Sequence, residues 1–313
     1  MLFTDLISQI YKRINVYIRK TPILRSDFLS DLTGNEVYFK CENLQITHAF
    51  KVRGAINKVL SIPKNEVQNK ILVTASGGNH GLAVTYAARV FGLKAFIYLP
   101  HSTPDIKIKA IQDLGGQVKM TGDVWDEANE QAMILGQQND YYYIHPFDDD
   151  SIIQGQATIA YEMFQQLEHI DIVMASIGGG GLISGIAQYA KGKKPQIKVY
   201  GVETKGADSM AQSVQARKLI TLPSISSKAE SLGAKTVSEK TLSIAQENVD
   251  DFFVVDDSSA RQQQLRILHE EKLLVELASS CVVSAYLQNV ANKVKNKNIL
   301  IVLCGGNTSL DFI

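Results

Sequence analysis

The sequence predicts an α/β protein of two lobes, each a mostly parallel twisted sheet with helices on both faces. Two observations predict it. From about residue 70 onward, short β-branched or aromatic runs alternate with longer helical patterns, the order expected of βα units around a parallel sheet. With 313 residues the chain is long enough for one large domain or two lobes, and the alternation falls into two series.

The first series defines the smaller lobe. Ile71 to Thr74 reads as a strand and His80 to Phe91 as a helix closed by Gly92. Ala95 to Leu99 is a strand stopped at Pro100, and Pro104 opens a helix that runs to Leu114 and ends at Gly115-Gly116. Val118 to Met120 makes a third strand, Trp125 to Leu135 a third helix, and Tyr141 to Ile144 a fourth strand. These elements fill residues 70–147. In the second series Ser151 to Leu167 is helical, Ile170 to Ile177 a strand, Gly181 to Ala190 a helix and Lys198 to Val202 a strand. A less regular stretch around Ser224 to Val237 precedes the strands Phe252 to Val255 and Ile299 to Leu303. The first 60 residues join this series most simply, so 1–69 and 148–313 form a large lobe with the smaller one inserted.

Composition bounds the function. Hydrophobic residues at 45% and charged residues at 20% argue against a disordered or fibrous chain. Lys and Arg together number 32, as do Asp and Glu, so the chain lacks the broad basic field that nucleic acid or an anionic membrane requires. The local runs Lys191-Gly192-Lys193-Lys194 and Asp148-Asp149-Asp150 fall where loops are expected and read as solvated surface. Cys41, Cys281 and Cys304 are an odd number without paired spacing, which fits a reducing compartment. Met1 to Asp5 carries an acid where a signal peptide has its basic region, and no stretch approaches the roughly 20 apolar residues of a membrane helix. The expected setting is cytoplasmic, with no nucleic-acid or membrane partner.

Ligands in open α/β sheets bind beyond the carboxyl ends of strands, so strand-to-helix junctions are the places to look. Gly178 to Gly181 follow an apolar strand and precede a helix, where backbone N–H groups and the helix N-terminus suit a phosphate. They serve equally as a tight turn, and no Lys-Ser/Thr pair follows to make a P-loop. Thr74 to Gly81 offers a hydroxyl, an amide and an imidazole within one turn, suited to a carboxylate and a phenolic oxygen, although Ser76 and Asn79 also read as helix caps. Val302 to Asn307 delivers a thiol, Cys304, to the end of a strand, where a buried cysteine is ordinarily inert. His48 to Ala55 places Lys51 at the start of a helix, ordinarily a solvated surface charge.

Four such junctions together are specific. The chain resembles the fold type II, tryptophan synthase β-subunit-like family of pyridoxal 5′-phosphate (PLP) enzymes, in particular its serine/threonine dehydratase and serine racemase branch. The matching pieces are Ala49-Phe50-Lys51-Val52-Arg53-Gly54-Ala55, Ser76-Gly77-Gly78-Asn79-His80-Gly81, Gly178 to Gly181 and Cys304-Gly305-Gly306-Asn307, within a likeness running from about Arg19 to Leu310. The resemblance implies that Lys51, next to Phe50, carries the cofactor, that Gly178, Gly179, Gly180 and Gly181 with Leu182 hold its phosphate, and that Asn79 bonds its ring hydroxyl. It implies that Cys304 faces the pyridine nitrogen and that Ser76, Gly77, Asn79 and His80 bind the substrate carboxylate.

The implied reaction is β-elimination of water from serine, threonine or a relative, giving a 2-oxo acid and ammonia. Lys51, as a free amine of lowered pKa, takes the Cα proton. Serine racemases carry a second serine where this chain has Gly77, so elimination is expected to dominate over racemisation. The family's divalent-cation site (Mg or Ca) falls on Glu203, the Ala207 carbonyl and position 209, where Ser209 stands in place of aspartate, with Asp208 beside it. The usual Ala-Asp-Gly reads Ser231-Leu232-Gly233 and the usual Glu-Pro-Ala-Gly reads Glu276-Leu277-Ala278-Ser279, changes that open the pocket to a hydroxyaspartate or a larger β-hydroxy amino acid. His145 and Trp125 read as structural. The expected partners are the amino-acid substrate and a second copy of the chain in a homodimer. With no appended amino-acid sensor after Ile313, the expectation is an unregulated dehydratase rather than a long biosynthetic threonine deaminase. The alternatives are a racemase, a β-replacement enzyme and a non-catalytic PLP- or amino-acid-binding protein.

Overall fold

The computed structural model describes residues 1–309; Leu310, where the resemblance runs out, lies outside the described residues. The chain opens with α1 (Phe3–Ile14), β1 (Ile23–Arg25), α2 (Asp27–Thr33), β2 (Glu36–Cys41), α3 (Lys51–Ser61) and α4 (Lys64–Val67). A run of alternating units follows: β3 (Ile71–Ala75), α5 (Asn79–Val90), β4 (Lys94–Leu99), α6 (Asp105–Asp113), β5 (Gln117–Met120), α7 (Trp125–Gly136) and β6 (Tyr141–Tyr143). The rest comprises α8 (Asp150–Gln166), β7 (Ile172–Ser176), α9 (Gly181–Lys193), β8 (Lys198–Thr204), α10 (Ser209–Ala216), α11 (Glu239–Asn248), β9 (Asp251–Val255), α12 (Asp257–Arg266), α13 (Leu277–Ala285) and β10 (Asn298–Leu303).

Two sheets result. One has six strands in the order β1-β2-β10-β7-β8-β9, the other four in the order β5-β4-β3-β6. All pairs are parallel except β1 with β2. The four-stranded sheet draws every strand from between Ile71 and Tyr143, and the six-stranded sheet draws its strands from both sides of that stretch. At the centre of the larger sheet Ile301 stands between Phe39 and Met174. Ile299 to Leu303 and all of β7 are buried, so these strands read as continuous apolar runs, as they must when both faces are covered. In the smaller sheet β4 alternates buried and half-exposed residues, with one face more open.

Element bounds differ from the sequence reading by up to three residues; α9, expected to end at Ala190, runs on to Lys193 and takes Lys191 to Lys193 into its last turn, where a loop was expected. The strand expected through Ile144 ends at Tyr143, yet the Ile144 N–H still bonds the Val73 carbonyl at 2.8 Å and extends the ladder by one link. The first 60 residues contain an amphipathic helix, α1, with Ile7, Ile10 and Ile14 on its buried stripe. They also contain α2, capped by Ser26 Oγ at the Leu29 N–H and closed by Gly34 in the left-handed conformation. No helix among the described residues is long and apolar enough to cross a membrane.

A set of buried charges ties these elements together. Arg53 on α3 grips Glu42 with Nε and Nη2, both at 2.8 Å, and Glu162 on α8 with Nη1 at 2.9 Å and Nη2 at 3.0 Å. Lys40 on β2 completes it, with Nζ 2.5 Å from Glu162 and 2.7 Å from the Thr21 carbonyl. Two cations face two anions with no exposed surface between them. Burial pushes the Glu162 carboxyl up, but Arg53 and Lys40 more than offset it and hold the group below its ordinary 4.5.

Removing one member strands the others without solvent. Glu162→Gln is expected to cost about 3–5 kcal/mol of unfolding free energy, read by chemical denaturation. Because the folded carboxyl titrates below the unfolded one, its contribution is complete above pH about 4.5 and is lost as the pH falls through its folded value. The difference between wild type and variant should therefore shrink in acid.

Candidate active site

The four junctions meet at one cavity, which holds about 410 Å3 of empty space with its open mouth included. Phe50, Lys51, Asn79, Gly178, Gly179, Gly180, Gly181, Leu182 and Cys304 all line it. Ser76, Gly77 and His80 lie in the turn beside Asn79 without lining this cavity; a Cβ at Gly77 would point towards Thr103 and Leu99.

The glycine turn is sterically fixed. A Cβ on Gly179 would fall 2.1 Å from the Phe147 ring, and Gly180 has φ +94°, which favours glycine. The N–H groups of Gly178, Gly179 and Gly180 find no acceptor among the described residues, and α9 begins directly behind them. Unmet donors at a helix N-terminus are the chemistry of an anion site, beyond what a tight turn alone requires.

Lys51 reaches this cavity because the segment ahead of it pairs with the chain after β10. Phe50 N–H bonds the Cys304 carbonyl at 3.0 Å, Gly306 N–H bonds the His48 carbonyl at 2.9 Å, and Ala49 faces Gly305 in an antiparallel bridge. The Lys51 amine donates to the Pro146 carbonyl at 2.7 Å. Burial pushes its pKa down to about 8, against the opposing pull of Cys304 and Glu276.

Cys304 sits between two hydroxyls, Ser176 Oγ and Ser279 Oγ, each 3.4 Å from Sγ. Burial, reinforced by Glu276, pushes the thiol up to about 12, so it is neutral. His80 is neutral too: burial and then the Lys51 charge lower it to about 3. Its Nε2 lies 3.0 Å from the Ile144 carbonyl, and its Nδ1 is buried with no partner among the described residues. Ser76 Oγ accepts from the Gly78 N–H at 3.3 Å and shapes the turn.

Phe147, Ser176, Ser231, Leu232 and Glu276 line the cavity as well, and of these the sequence reading named Ser231, Leu232 and Glu276 only as parts of altered pocket motifs, without a role. Glu276 contacts Asn79 Nδ2 through both oxygens, at 3.0 and 3.1 Å, and its Oε1 accepts from Ser231 Oγ at 3.0 Å and lies 3.6 Å from Cys304 Sγ. Burial raises its pKa, and the Asn79, Ser231 and Cys304 contacts oppose the rise. The available signal was an acid inside the apolar run Leu273-Leu274-Val275-Glu276-Leu277-Ala278. Phe147, which packs on the glycine turn, is held by His145, whose Nδ1 accepts from the N–H groups of Phe147 and Asp148 at 3.1 and 2.7 Å. Trp125 Nε1 donates to the Ala75 carbonyl at 2.8 Å.

The cation expected at Glu203 and Ala207 finds no support. Both Glu203 oxygens accept N–H groups at the start of α10, from Met210 at 2.9 Å and Ala211 at 2.7 Å. Burial raises this carboxyl to about 8, and Ala207 is buried in the bend before the helix. Among the described residues no cluster of three or more His, Cys, Asp or Glu is placed to hold a metal.

The residues present fit PLP: unmet donors for a phosphate, an amine of lowered pKa for an aldehyde, and a neutral thiol across the cavity. In the apo-protein the Lys51 amine should become nucleophilic as the pH rises through about 8, well below the ordinary 10.5 of lysine. Amine labelling read by mass spectrometry at Lys51 across pH tests this; a midpoint near 10.5 would refute the burial.

The chain matches the family described as "Pyridoxal-phosphate dependent enzyme" over residues 14–305. It is 35% identical over 313 residues to the L-threonine ammonia-lyase of Geobacter sulfurreducens, covering 100% of this chain and 77% of that one. It is 38% identical over 313 residues to the serine racemase of Arabidopsis thaliana, covering 97% and 92% respectively. Its structure resembles the processed form of threonine deaminase isoform 2 from Solanum lycopersicum, with a TM-score of 0.91 at 32% identity over 98% of this chain and 91% of that one. With a family match over nearly its whole length and relatives that align with 97–100% of it, the chain belongs to the pyridoxal-phosphate dependent enzymes.

Proposed function

We propose that the chain is an ammonia-lyase that eliminates water from a β-hydroxy amino acid, serine, threonine or a relative, and releases a 2-oxo acid and ammonia. The observation that carries this reading is the convergence of Lys51, Asn79, the Gly178–Gly181 turn and Cys304 on one cavity. The activities named for the similar proteins, threonine ammonia-lyase and threonine deaminase, support it.

When bound, the cofactor supplies an electron sink for the pair left at the substrate α-carbon. The unmet N–H groups of Gly178 to Gly180 and the start of α9 hold its phosphate. Lys51 anchors it and, when its amine is free, takes the Cα proton at Nζ; a pKa near 8 keeps part of that amine neutral in mild alkali. Ser76, Gly77, Asn79 and His80 bind the substrate carboxylate and orient the Cα–H bond. Cys304, neutral at physiological pH, would offer the bound cofactor an uncharged partner, which would weaken its pull on electrons and favour loss of the β-hydroxyl over transamination. Gly77 places no hydroxyl on the opposite face of Cα, so reprotonation there lacks a donor and elimination outruns racemisation.

The reading includes a large lobe of 1–69 and 148–313, an inserted lobe of 70–147, a homodimer and a cytoplasmic setting. The division of strands between the two sheets supports the first two, and three buried free cysteines are consistent with the last.

A panel of β-hydroxy amino acids, scored for 2-oxo acid and ammonia, tests the reaction. At least one should be consumed, L-serine should give little D-serine, and Lys51→Ala should abolish both turnover and the yellow colour of the bound cofactor. Robust D-serine formation by the pure protein would replace elimination with racemisation as the main activity. Turnover only with an O-acetylated substrate and a second nucleophile would point to β-replacement.

A further inference from the structure

We propose that Asn307 is a positioning residue that decides which end of the Asn79 amide faces the cavity. The inference deepens the PLP reading and rests on it. A carboxamide has a donor end and an acceptor end of nearly equal shape, and its neighbours alone settle which way it stands.

Asn79, buried at the start of α5, meets two such neighbours. Its Nδ2 donates to Glu276, and its Oδ1 accepts from Asn307 Nδ2 at 2.8 Å. Asn307 is fixed in turn, because the same Nδ2 donates to the Thr47 carbonyl at 2.8 Å, and a carbonyl can only accept. The Asn79 orientation is thus traced back to a backbone group just ahead of Lys51. Reversed, Asn79 would set its oxygen against the Glu276 carboxylate and its NH2 against the Asn307 NH2, two contacts of like polarity.

Held this way, Asn79 gives one Nδ2 hydrogen to Glu276 and keeps a second. That hydrogen has no partner among the described residues, and Asn79 lines the cavity. Asn307 therefore keeps a donor, and not an acceptor, available to an anionic oxygen of the cofactor.

The test compares wild type, Asn307→Asp, Glu276→Gln and the double variant as apo-proteins. Each is titrated with PLP by fluorescence for its Kd and melted for its Tm. Asn307→Asp sets an acceptor against both Asn79 Oδ1 and the Thr47 carbonyl and should lower both Tm and PLP affinity, the latter about 10- to 100-fold, as for a lost bond to a charged group. In the double variant the reversed amide is satisfied on both sides. Ser231 and Cys304 contact Glu276 Oε1, so the new amide nitrogen takes the place of Oε2, 3.1 Å from Asn79.

The expected result is a Tm restored towards wild type with the affinity still low, an outcome that simple loss of packing does not produce. Affinity that returns together with Tm in the double variant overturns the inference, as does an Asn307→Asp protein that binds PLP like wild type. If Asn307→Asp does not fold, the double variant decides alone. Wild-type apo-protein that fails to bind PLP sinks the cofactor reading and this inference with it, a result distinct from either of the others.

Discussion

Arg53 closes on Glu42 and Glu162 from α3, while Lys40 reaches Glu162 from β2, and this neutral set of four charges fixes the start of α3 against its neighbours. Stripping water from ions costs several kcal/mol each, and the cost is recovered only when the hydrogen-bond geometry is right. The helix therefore has one register in which to lie. Its other contact is equally exacting, since a Cβ on Gly155 of α8 would stand 2.5 Å from the Gly54 Cα. Lys51, at the first position of that helix, inherits a location set by residues that never touch the cavity.

What surrounds the Lys51 amine is chemically quiet. Burial drives Cys304, His80 and Lys51 towards their uncharged forms, and it raises Glu276. A cavity in which burial opposes each of these charges lets those of a bound phosphate and carboxylate weigh heavily in the local field, where each aimed donor counts for more than in water. The side chains that shape this field do so mostly by orientation: Ser176 and Ser279 around the thiol, Asn307 beside Asn79.

The parallel strands were legible because both-face burial demands unbroken apolar runs, and the glycines and prolines between them mark the turns. The four junctions followed, since each lies at a strand end or helix start. The elements of the first 60 residues were harder, because β2 carries Lys40 and ends at the turn holding Glu42, charges that look out of place until α3 and α8 pair them. Helix α12, with the polar sequence Asp257 to Arg266, shows almost no apolar stripe; its start is marked by Asp256, whose Oδ1 accepts the Ser259 N–H at 2.7 Å. Phe147 and Ser176 escaped as site residues because tertiary packing, and no local motif, carries them to the cavity, while Ser231 and Glu276 stood only in altered motifs that gave them no role.

The glycine turn after β7 holds three backbone donors that the protein itself does not satisfy. Only the folded chain gathers those groups at one point, so an anion that bridges them binds the native state and not the unfolded one. Folding and ligation thus become one linked equilibrium in which free cofactor stabilises the native state by RT ln(1 + [L]/Kd), so resistance to unfolding rises with the cofactor supply.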